Sequence, residues 1–174
     1  LPKKCMAWLQ DVSRVLSNHQ RPLLWATPSG FVVKQDYRKI KESRVATYIT
    51  GEALWVRFRE DTEDISPSKQ SMGVAPNLVH SLDSAMLHLV VNAANDRGIY
   101  DFSMIHDSYG THCKNTDILA KVIREVAEEI FTEDYLRNWL DQIKEQNPDL
   151  EFPEPPTYGS ADISLIRDSP YFFS

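Results

Sequence analysis

The sequence predicts an α+β fold, and two patterns carry that expectation. Apolar residues recur at three- and four-residue steps over residues 4–18, 77–98, 117–131 and 135–145, the period of amphipathic helices. Pairs of short apolar runs, each pair split by turn-forming residues, lie at 23–25 and 31–33, 45–50 and 53–58, and 102–105 and 109–111, the pattern of antiparallel hairpins.

Taken in order, the first helix presents Met6, Leu9, Val12, Val15 and Leu16 on one stripe, with Trp8 beside it, and Pro22 stops the chain from continuing helically. Leu23, Leu24 and Trp25 then read as a strand, Pro28-Ser29-Gly30 as a turn, and Phe31, Val32 and Val33 as the returning strand. Residues 34–44 hold Lys34, Arg38, Lys39, Lys41 and Arg44 against Asp36 and Glu42, the one locally basic stretch, readable as a solvated face or as a docking patch. Residues 45–59 read as a protruding hairpin around Gly51, rich in β-branched and aromatic residues, followed by a polar, acidic segment to residue 66. Its Tyr48, Trp55, Arg57 and Arg59 either suit contact with bases and phosphates or simply cover a sheet. Residues 67–76, with Lys69, Gln70 and Gly73, read as a loop, after which Asn77 caps a long helix striped by Leu78, Val79, Leu82, Met86, Leu89, Val90 and Ala93. On that reading His80 stands in the first turn, where the helix dipole favours a nearby anion, with Asp83 and Leu87 on the same side.

Phe102, Met104 and Ile105 lead into a corner of His106, Asp107 and Ser108, and Tyr109, Gly110 and Thr111 lead out. This puts a carboxylate on a tight turn between two strands expected to be buried, with the fixed backbone that a metal ligand needs; Asp and Ser also populate ordinary turns for local reasons. The helices at 117–131 and 135–145 read as structural, the four prolines of 148–156 as an irregular connection, and 162–167 as a short helical turn. Tyr171, Phe172 and Phe173 close the chain, and such an apolar terminus is expected to be docked.

The length, 174 residues with 42% hydrophobic and 25% charged, suits one domain with a sizeable core. No apolar run approaches the ~18 residues of a membrane span and no signal-peptide pattern is present, so no membrane partner and a cytosolic setting are expected. Cys5 and Cys113 are too few for a disulfide framework or a zinc pair and read as free thiols. The net charge of -6 gives no general attraction to nucleic acid, so any such contact must be local. There is no Walker loop, Rossmann glycine pattern, HExxH helix or Gly-x-Ser-x-Gly elbow. The chain opens at Leu1-Pro2-Lys3-Lys4 without an initiating Met, and it reads as a piece of a longer protein.

The stretch Gly73-Val74-Ala75-Pro76-Asn77-Leu78-Val79-His80-Ser81-Leu82-Asp83, followed by Ile105-His106-Asp107-Ser108-Tyr109-Gly110, closely resembles the C-terminal part of single-subunit DNA-directed RNA polymerases, the family of T-odd bacteriophages and mitochondria. Met6-Ala7-Trp8-Leu9, the Trp25 hairpin and Gln35-Asp36-Tyr37-Arg38-Lys39 sit in matching order, and Tyr171-Phe172-Phe173-Ser174 is similar to the aromatic C-terminal foot of the mitochondrial members. The resemblance implies a right-hand polymerase, with residues 1–80 ending the fingers and 81–174 forming the C-terminal palm around a catalytic hairpin at 102–111 and a foot at 169–174. It implies that Asp107 is one of two aspartates holding catalytic Mg2+, with His106 beside the growing RNA end and His80 near the active-site base pair and ribose. Lys69, Gln70, Arg57 and Tyr48 become nucleic-acid or nucleotide contacts, and the hairpin at 45–59 takes the place of the promoter-reading specificity loop, though its residues depart from the phage pattern. Phe172, Phe173 and Ser174 would fold back beneath the hairpin. The implied partners are a DNA template, nascent RNA, NTPs and the N-terminal remainder of the polymerase. The implied compartment is the cytoplasm of a phage or prophage host, or the mitochondrial matrix for an organellar enzyme. The second aspartate has no counterpart here, so the 174 residues alone are expected to be inactive. Two other readings are a palm segment of a related DNA polymerase, against which Ser108 counts because those enzymes generally carry a second acid there, and a non-catalytic nucleic-acid-binding module.

Overall fold

The structure, a computed structural model, describes residues 2–49, 51–105, 107–169 and 171–172. Helix α1 (Pro2–Asn18) buries Trp8, Leu9, Val12 and Leu16 and leaves Met6 at the surface. Strand β1 (Leu23–Ala26) pairs antiparallel with β2 (Val32–Gln35), Trp25 opposite Val33, around a turn in which Gly30 has φ +82°. A long hairpin follows, β3 (Arg38–Ile49) against β4 (Glu52–Ile65), with Gly51 at φ +89° in its tip. Helix α2 (Pro67–Asn95) leads to a short pair, β5 (Ser103–Ile105) and β6 (Ser108–Gly110). A 3-10 turn at Cys113–Asn115 opens α3 (Thr116–Thr132), then comes α4 (Tyr135–Gln146), and a last 3-10 turn covers Ile163–Ile166. The α+β class holds, as three separate two-stranded sheets among helices in the described residues. Both cysteines are free.

Helix α2 is the spine. Its 29 residues make it about 43 Å long at 1.5 Å per residue, and two cores hang on its two halves. On the N-terminal half Val74 and Leu78 pack with α1, β1 and α4, where Trp139 meets Trp8 and Trp25 edge-on at ring distances of 5.6 and 6.2 Å. On the C-terminal half Met86, Val90 and Ala94 pack with Ile99 and the inner face of α3. The expected fingers–palm boundary at residue 80 falls inside this helix.

Three expectations are corrected. Residues 67–76 are not a loop: α2 starts at Pro67, which suits a first helical position, and it continues through Gly73 and Pro76. Tertiary contacts override these breakers, since Val74 is fully buried and Gln70 is clamped from β2. His80 therefore lies well inside the helix, where backbone N–H groups are already used, and the first-turn argument for an anion there does not hold. The second hairpin is longer than 45–59, taking in the basic stretch on one side and the acidic segment on the other. Of its strand residues only Ile65 is buried, so it protrudes from the body, as expected.

Candidate active site

Ile105 faces Ser108 across the β5–β6 pair, and Asp107 lies in the turn between them, exposed. The two strands are not buried, contrary to expectation: Met104 and Tyr109, paired, turn inward and are half-buried, while Ile105 and Ser108 face solvent. The inward face is anchored through Tyr109, which packs with Phe102 on the second core. The pair is tight. A Cβ on Gly110 would stand 2.9 Å from the Ser103 carbonyl oxygen, so only glycine lets the strands approach this closely. His106 lies outside the described residues.

Opposite the turn runs the solvent side of α2. His80, Asp83, Ser84 and Leu87 recur at helical spacing, and with Asp107 they line one pocket of about 570 Å³. Of the expected site residues, the structure thus brings together His80 and Asp107, from segments that are far apart in sequence. Burial pushes the Tyr109 phenol above its ordinary value, and the Asp83 and Asp107 carboxylates push it the same way, so the ring lies within the field of both acids. Asp83, Ser84 and Tyr109 were absent from the expected site. Only the spacing of Asp83 from His80 signalled any of them.

The donor set suits Mg2+ as a shared ion. Asp107 offers hard carboxylate oxygens, with Asp83 lining the same pocket, and Mg2+ is usually held by one or two carboxylates together with substrate phosphates. Among the described residues no group of three or more His, Cys, Asp or Glu gathers into a closed protein cage.

The other expected contacts lie elsewhere. The register of β3 and β4 puts Tyr48, Arg44, Trp55, Arg57 and Arg59 on one face, where Arg59 pairs with Glu42 at 2.8 Å. Val45, Ile49, Leu54, Val56 and Phe58 share the other face. Tyr48 and Trp55 are 72% and 66% exposed, so the first face offers rings and guanidinium groups to solvent. Lys69 sits at the hairpin base and donates to the Arg38 carbonyl at 3.1 Å. Gln70 is fully buried: its amide donates to the Gln35 carbonyl at 2.9 Å and accepts from the Gln35 amide at 2.7 Å. Asn77 joins this ladder, donating to the Gln35 side-chain oxygen at 2.9 Å and to the Tyr37 hydroxyl at 3.0 Å. At the C-terminus Phe172 is half-buried against the same core that carries Tyr109, while Tyr171 is exposed. Phe173 and Ser174 lie outside the described residues.

Comparison with known proteins gives one answer. A family model described as DNA-dependent RNA polymerase matches residues 2–149. Mitochondrial DNA-directed RNA polymerase 1 of Nicotiana sylvestris is 32% identical over 172 residues, which take in 99% of this chain and 17% of that protein. Chloroplastic DNA-directed RNA polymerase 3 of the same plant is 32% identical over 169 residues, 97% of this chain and 17% of that one. DNA-directed RNA polymerase 1A of Nicotiana tabacum is 32% identical over 160 residues, 92% of this chain and 100% of that protein. The chain thus spans 17% of the length of the mitochondrial and chloroplastic relatives, and all of the shorter one. With a family model covering most of its length and relatives that agree, the chain belongs to the DNA-dependent RNA polymerases of the single-subunit type.

Proposed function

We propose that these residues form one wall of the active site of a longer single-subunit polymerase that copies a DNA template into RNA from NTPs. The observation that carries this reading is the pocket shared by His80 and Asp107 in a chain of this family. In this proposal residues 81–174 are the C-terminal palm of a right hand and residues 1–80 the end of its fingers, with α2 running through the junction. Asp107 would hold Mg2+ through its carboxylate oxygens, sharing it with an aspartate supplied by the rest of the polymerase. When bound, the ion makes the RNA 3′-hydroxyl a better nucleophile and takes up charge on the departing pyrophosphate. His80 faces the nucleotide pair at the end of the RNA, and His106 stands beside that end.

Tyr48 and Arg57 meet DNA from the exposed aromatic and cationic face of the hairpin, stacking and pairing with phosphate. Lys69, at the hairpin base, adds a local positive charge. Gln70 contributes by fixing α2 to β2, since its amide is spent internally. The C-terminal foot, Phe172, Phe173 and Ser174, acts in support of the catalytic hairpin, and of the three it is Phe172 that is described, on the core that carries Tyr109. Relatives named for mitochondria and chloroplasts support an organellar setting over a phage host. Among the described residues no helix is long and apolar enough to cross a membrane.

The test is template-dependent nucleotide incorporation by the polymerase that contains these residues. Asp107→Ala is expected to lower the single-turnover rate roughly a thousandfold or more, as loss of a metal ligand should. The 174 residues alone are expected to incorporate nothing. A near-normal rate for Asp107→Ala would contradict the assignment.

A further inference from the structure

The pocket holds a second carboxylate that the proposed chemistry leaves without a task. Asp83 stands three residues beyond His80 on α2, followed by Ser84 and Leu87, so these side chains make one row along the helix, and with Asp107 they enclose about 570 Å³. Asp83 is exposed and forms no ion pair among the described residues. Whatever fills the pocket must tolerate this acid as a neighbour. Phosphate oxygens are repelled by it, whereas hydroxyl groups donate to it.

The next step rests on the proposed function, in which the occupant is the end of an RNA chain. Base donors change with sequence, and an enzyme that copies any template cannot depend on them. The ribose is the constant donor, and its 2′-hydroxyl is the group that separates RNA from DNA at a given position. A carboxylate accepting from a ribose 2′-hydroxyl is also how many dinucleotide-binding folds hold their sugar.

We infer that Asp83 accepts a hydrogen bond from the 2′-hydroxyl of the RNA 3′-terminal nucleotide, making it a sugar-reading contact in the pocket it shares with Asp107. Ser84, next in the row, keeps that side of the pocket polar, and Leu87 closes it with an apolar wall suited to the carbon face of the sugar.

The experiment uses the polymerase that contains these residues and two primers differing only in a terminal ribose or 2′-deoxyribose, each extended by one NTP. Wild type should prefer the ribose primer. Asp83→Ala should lower that preference about tenfold or more, the usual size of a hydrogen bond to a charged group, with the Mg2+ dependence unchanged. Asp83→Asn, which keeps an acceptor oxygen, should retain part of the preference, and it decides the matter if the alanine variant is too weak to measure. An unchanged preference in both variants overturns the inference, and so does a raised Mg2+ requirement with the preference intact, which would make Asp83 a metal ligand. Full activity in Asp107→Ala would count against the active-site reading itself, whereas an inactive Asp107→Ala beside an unaltered Asp83→Ala preference would count against Asp83 alone.

Discussion

Gln35 and Gln70 hold one another by reciprocal side-chain and backbone hydrogen bonds of 2.7 to 2.9 Å, buried under the start of α2. Replacing Gln70 with Leu removes the acceptor for one Gln35 side-chain N–H and the extra donor to the Gln35 carbonyl, which should destabilise the fold by about 1 to 3 kcal/mol in denaturant melts. A raised KM for NTPs with unchanged stability would instead make Gln70 a nucleotide contact. The difference between Gln70 and Asp107 shows what is legible at this scale. Asp107 stands out through the ordered motifs on either side of it, since an acid on a turn between two apolar runs is by itself also an ordinary turn. Gln70 sits in the polar run Ser68-Lys69-Gln70-Ser71, and its burial depends on a partner from another strand that no local pattern announces. Asp83 fell between the two: its side of the helix was readable, but the acid facing it comes from another hairpin.

The β3–β4 hairpin divides its chemistry by face. Arg44, Tyr48, Trp55, Arg57 and Arg59 share one side, so a localised cationic surface exists on a chain of net charge -6. Arg57→Ala should change stability by less than about 0.5 kcal/mol, because nothing of the core leans on it. In the polymerase it should weaken DNA binding and reduce the slope of log affinity against log salt by about one. An unchanged salt slope would remove Arg57 from the DNA face. The middle of this hairpin was readable from its β-branched and aromatic residues. Its outer parts were not, because strands exposed on both faces carry no alternation of apolar and polar residues. The start of α2 was hidden for the opposite reason, since Gly73 and Pro76 argue locally for a break while Val74 and Leu78 are fixed in the first core.

At the scale of the molecule, one helix carries two cores, and the pocket opens along its outer side beyond Leu78 of the first core and beside Met86 of the second. The turn that carries Asp107 faces this helix across the pocket, with Tyr109 and Phe102 packed on the second core. In the proposed function the metal of the polymerase sits in the pocket between the turn and α2. Local radical cleavage reads that position directly: Fe2+ is exchanged for Mg2+ in the polymerase bound to a primed template, peroxide is added, and the cut sites are mapped by mass spectrometry. Cuts are expected at the turn that carries Asp107 and on α2 around His80 to Ser84, all suppressed by excess Mg2+. Cuts that spare both segments, while falling elsewhere in a Mg2+-suppressible pattern, would place the metal outside this pocket and remove Asp107 from its ligands.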